Sequence, residues 1–95
     1  MVVIVLESVP EGLRGELSRW LVEPHSGVFV GRISAAVREL LWSMCLEKAK
    51  GGSGVLIHSS NSVMGYNLVR FGLGRRILTD LEGIQLVKFL NSKED

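Results

Sequence analysis

Five consecutive apolar residues, Val2-Val3-Ile4-Val5-Leu6, constrain this chain more than any other feature. Four of the five are β-branched, which favours an extended, pleated backbone. A strand that is apolar at every position has no face to show to water, so it belongs at the centre of a sheet covered on both sides. The run is far too short to span a bilayer, and no basic segment or small-residue cleavage site accompanies it. With 95 residues, 46% of them hydrophobic and 22% charged, one ordered core is expected. A chain of this size buries roughly two thirds of its unfolded surface, so the stability margin is thin and self-association would add to it. The expectation is one domain over residues 1–95, with a charged tail at 91–95.

Further along, Ser8 and Glu11 have the spacing of a capping box, with Pro10 between them. A helix is expected from about Val9 to Val22, its apolar face formed by Leu13, Leu17, Trp20 and Leu21 and its end set by Pro24. Gly12 and Gly15 weaken it by roughly 1 kcal/mol each relative to alanine. Val28-Phe29-Val30 reads as a short strand between Gly27 and Gly31. A second helix is expected from an N-cap at Ser34 to about Lys50, with Ile33, Val37, Leu40, Leu41, Met44 and Cys45 on one face. Gly51 to Gly54 reads as a helix stop and turn. Val55-Leu56-Ile57, Tyr66 to Phe71 and Ile84 to Leu90 read as further strands. The last is apolar on both faces, with only Lys88 charged, so it is expected to pair across chains. Two helices interleaved with strands in this order predict an α/β (α+β) ferredoxin-like sandwich: an antiparallel sheet, two helices on one face, and an added C-terminal strand.

The charge balance excludes a whole-molecule electrostatic attraction to nucleic acid, since the net charge is only +1. Phosphate binding would have to rely on a few well-placed guanidinium groups, and Arg14, Arg38, Arg75 and Arg76 are the candidates. Arg75 and Arg76 lie in a glycine-flanked loop that can adapt to a backbone. Each of the four can equally be an ordinary surface charge or half of an ion pair. Glu7, at the junction of the first strand and the first helix, is a candidate Mg²⁺ ligand, because Mg²⁺ takes one or two carboxylates plus waters. Its bland reading is a solvated acid near a helix N-terminus. His25 and His58 lack partners at zinc-ligand spacing. Cys45 falls on the apolar stripe of the second helix, and a lone thiol fits a reducing compartment, so a cytoplasmic location is expected. Trp20 and Trp42 read as packing residues. No nucleophile elbow or phosphate loop is present. A small ferredoxin-like regulator with no nucleic-acid partner also fits these features.

In order and spacing, the segments resemble one family over about residues 2–90. Glu7-Ser8-Val9-Pro10, Leu13-Arg14-Gly15 and Trp20-Leu21-Val22-Glu23 are similar to the opening of CRISPR-associated protein two, type I-E subgroup. So are Gly27 to Gly31, Ser34-Ala35 and Val37 to Trp42 in the middle, and Asn61 to Tyr66, Phe71 to Arg76, Asp80 to Gly83 and Leu86 to Leu90 towards the end. The resemblance implies a ferredoxin-like homodimer between two dimers of CRISPR-associated protein one, the integrase. There it would support a prespacer DNA duplex during spacer acquisition, the integrase carrying the chemistry. It also implies phosphate contacts from Arg14, Arg38, Arg75 and Arg76. Glu7 takes the position of the family's metal-binding acid, with a Mg²⁺-dependent endonuclease as the alternative activity. Gly12 and Ala36 stand where relatives carry further basic residues, with Arg19 and Arg32 as nearby basic side chains.

Overall fold

The computed structural model describes residues 1–72. Their elements run β1 (Val2–Glu7), α1 (Glu11–Leu17), β2 (Val22–His25), β3 (Val28–Gly31), α2 (Ala35–Lys48), β4 (Ser53–Ser59) and β5 (Tyr66–Phe71). The strands form one five-stranded sheet in the order β2-β3-β1-β4-β5. Every adjacent pair is antiparallel. This is the α+β, ferredoxin-like arrangement that the element order predicts. The expected strand at Ile84 to Leu90 and the tail at 91–95 lie outside the described residues.

The all-apolar run becomes the middle strand. Ile4 lies opposite Phe29 on one side and Leu56 on the other, while Val5 lies opposite Val28 and Val55. Strand alternation then divides the core into two. Val2, Ile4, Leu6, Phe29 and Leu56 pack with Leu13, Leu17 and Leu21 from the α1 region and with Leu41, Trp42 and Cys45 of α2. Val3, Val5, Val55 and Ile57 form a separate buried cluster, joined by Val28, Val30 and Tyr66. Both helices therefore contribute to one face of the sheet. Cys45 is fully buried in the helix-side cluster, and burial pushes its thiol up to about 12.

Several expectations need correction. The first helix is short: it starts at Glu11, has Pro10 as its N-cap, and shows no side-chain capping bond. The Ser8–Glu11 capping box is not formed, because Ser8 takes a left-handed backbone with φ 59° and leads the chain out of β1. The helix ends at Leu17, where Ser18 Oγ donates to the Arg14 carbonyl and Trp20 N–H to the Leu17 carbonyl. Low propensity at Gly12 and Gly15 leaves little to extend it. Pro24 is therefore not a helix stop. It lies in β2, an edge strand of the described sheet, where a residue without an N–H costs no ladder bond on the open side.

At the second helix the Ser34 N-cap is present, its hydroxyl accepting from Val37 N–H at 3.2 Å. Of the expected face, Leu41 and Cys45 are buried and Ile33, Val37 and Met44 pack against the same cluster, which Trp42 also joins, but Leu40 is exposed. Trp42 makes an edge-to-face contact with Phe71, centroids 5.4 Å apart. Trp20, expected to pack, is about half exposed at 48%. Ser53 and Gly54 belong to β4, not to a turn. No helix among the described residues is long and apolar enough to cross a membrane.

Candidate nucleic-acid interface

The end of β1 sets the site. Glu7 is the last residue of the strand, and the left-handed turn at Ser8 immediately redirects the chain towards α1. A non-glycine residue in that conformation is held there by its surroundings. Here the constraint is close packing: a Cβ at Gly52 would lie 2.6 Å from the Ser8 carbonyl oxygen and 2.7 Å from that of Glu7. Only glycine at position 52 lets the start of β4 pass so near.

A cavity of about 230 Å³ opens beside this junction, and Glu7, Ser8, Arg14, Ser26 and Gly27 contribute to its lining. Two sequence candidates, Glu7 and Arg14, are thus brought to one place. Arg14 reaches it from α1 and donates through Nη2 to Glu23 Oε2 at 2.6 Å and to Ser26 Oγ at 3.2 Å. The same Glu23 oxygen accepts from Gly27 N–H at 2.8 Å. The Gly27 carbonyl in turn accepts from Leu6 N–H at 2.8 Å, which ties the β2–β3 turn to the end of β1. Gly27 has φ 81°, and a Cβ there would strike the Leu6 carbonyl oxygen. The Gly27 N–H, and after it Arg14, hold the Glu23 carboxyl below its ordinary range.

Glu7 differs from Glu23. Its Oε1 is buried and has no hydrogen-bond partner among the described residues. Such an oxygen is a place where a cation or a donated proton would be accommodated. The surroundings supply little more for a magnesium ion. Among the described residues Glu7 is the one carboxylate contributing to this cavity, and the Arg14 guanidinium opposes a second positive charge. Among the described residues no group of three or more His, Cys, Asp or Glu side chains could hold a metal.

Arg38 is separate from this cavity. It sits in the first turns of α2, half-buried, with its Nε buried and unpartnered among the described residues. Arg19 is exposed, with one 4.0 Å pair to Glu16, and Arg32 is exposed. Arg75 and Arg76 lie outside the described residues. His58 Nδ1 lies 3.1 Å from the Ser59 carbonyl. The sequence reading missed Glu23, Ser26 and Gly27. The signal was an acid four residues before a glycine, a spacing that closes a turn between two short strands.

A ferredoxin-like sheet with a polar cavity at the end of its central strand defines a class of small α+β proteins but no single function. The sequence comparison narrows it: residues 1–86 match the family described as CRISPR-associated protein (Cas_Cas2CT1978), and the chain belongs to that family. Its role accordingly lies in CRISPR adaptation.

Proposed function

We propose that this chain is a non-catalytic, homodimeric DNA-binding scaffold of the type I-E kind. It bridges dimers of the integrase, CRISPR-associated protein one, and supports the prespacer duplex during spacer acquisition in the cytoplasm. The observation that carries this reading is Arg14 at the rim of the Glu7 cavity. Among the described residues, Nη2 makes both of its hydrogen bonds, and the N–H groups on Nε and Nη1 make none. A half-buried guanidinium with donors to spare is suited to a phosphate oxygen. Arg38, in the first turns of α2, is a second proposed phosphate contact. Arg75 and Arg76 complete the proposed contact set, and the segment from Ile84 to Leu90 is the proposed inter-subunit strand.

The second reading is a Mg²⁺-dependent endonuclease acting on RNA or DNA through Glu7. One observation favours it, the orphaned Glu7 Oε1. The two readings separate on Glu7→Ala. As a scaffold, the folded variant keeps spacer acquisition at the wild-type level in cells that supply the integrase. Loss of acquisition together with loss of Mg²⁺-dependent cleavage, in a variant with unchanged circular dichroism and melting temperature, would overturn the scaffold reading.

A further inference from the structure

We infer that Glu23 is a positioning residue for DNA binding: it fixes the Arg14 guanidinium in the orientation in which its unspent donors meet a phosphate. This rests on the scaffold reading above and adds to it a residue that does not itself touch DNA.

Glu23 is held first by the turn it closes. Its Oε2 accepts from Gly27 N–H at 2.8 Å across the β2–β3 turn, and Gly27 is locked to Leu6 by a backbone bond of 2.8 Å. Gly27 is also the one residue type that fits its position, because of its positive φ and its contact with the Leu6 carbonyl. The carboxylate is therefore anchored to the sheet through the turn, independently of Arg14. The arginine comes from a different element, a seven-residue helix containing two glycines, which holds a long side chain only loosely by itself. Two bonds on Nη2, one charged and one to Ser26 Oγ, supply the missing restraint.

Among the described residues, the guanidinium spends only one nitrogen on the protein. A planar fork anchored at one corner has lost most of its rotational freedom, so less is lost when the remaining N–H groups bond a phosphate. The opposite effect must be weighed. Glu23 also brings a negative charge near the bound phosphate. A carboxylate already paired at 2.6 Å, with a backbone donor on the same oxygen, presents a largely compensated charge. Pre-orientation is then the larger effect, and removing Glu23 weakens binding.

The test is a double-mutant cycle on the full-length chain, reading the affinity for a short fluorescent DNA duplex at fixed salt. Arg14→Ala weakens binding by about tenfold, the loss of one charge-assisted contact. Glu23→Ala weakens it to a similar degree, and adds nothing in the Arg14→Ala background. Glu23→Gln keeps an oxygen acceptor in place and retains most of the affinity. Tighter binding by Glu23→Ala would show a brake and not a support. An equal loss in both backgrounds would show a general structural defect. Either result overturns the inference alone and leaves Arg14 as a contact. An Arg14→Ala variant that binds as wild type would remove the Arg14 contact itself, and the inference with it.

Discussion

Gly52 and Ser8 are in such close backbone contact that a Cβ on position 52 would come within 2.6 Å of the Ser8 carbonyl oxygen. This contact keeps the left-handed turn that follows Glu7 pressed against the start of β4. Gly52→Ala must push the two segments apart, since both obstructing oxygens belong to backbone. Overpacking of this kind costs about 1–3 kcal/mol. The expected outcome is a lower urea midpoint with an unchanged m-value. A variant as stable as wild type would mean that the turn can shift freely, and that Glu7 is not held where it is placed here.

Among the described residues Phe29 is the largest fully buried side chain. It lies opposite Ile4 in the central pairing and under both helices. Phe29→Ala should destabilise by about 3–5 kcal/mol, combining lost transfer energy with a cavity. Total stabilities of small domains are about 5–15 kcal/mol, so this one change brings the chain near unfolding. Val22, exposed on β2, is the control: Val22→Thr should leave the melting temperature nearly unchanged.

Acid should weaken the fold through Glu23. Its folded-state carboxyl titrates below the ordinary value of 4.5, because the Gly27 N–H and then Arg14 favour the charged form. Between the lowered value and 4.5 the unfolded chain binds the proton and the folded chain does not. The stabilisation is thus fully present above pH 4.5 and is lost as pH falls through the folded value. Melting temperature measured against pH should show a shallower acid fall for Glu23→Gln than for wild type. Parallel curves for the two proteins would rule out the Glu23–Arg14–Gly27 cluster as an acid-sensitive element.

Much of this architecture is legible in the amino-acid order. The apolar run at 2–6 could only be a central strand, and Tyr66 to Phe71 is β5 at the predicted bounds. The Ser34 cap is likewise readable, because the side chain and the N–H it accepts from are three residues apart. What failed depended on neighbours distant in sequence. Pro24 looks like a helix stop until β3 is beside it and makes it part of an edge strand. Leu40 looks like a core residue, but Trp42 takes the stripe through its contact with Phe71. Glu7 and Arg14 could be named singly, but nothing local says that they share a cavity. For Glu23 the local spacing to Gly27 is a signal for the turn alone, since its pairing with Arg14 arises only when α1 packs beside the β2–β3 turn.

The most direct test of the central claim is the salt dependence of duplex binding by the full-length protein. Counterion release predicts a linear fall of log K with log salt, with a slope near −0.9 for each phosphate neutralised. Alanine at Arg14, at Arg38, or at Arg75 together with Arg76 should each flatten that slope, by about 0.9 for every phosphate contact removed. A slope unchanged by all of these substitutions, or a duplex that the wild-type chain does not bind at any salt, would contradict the account.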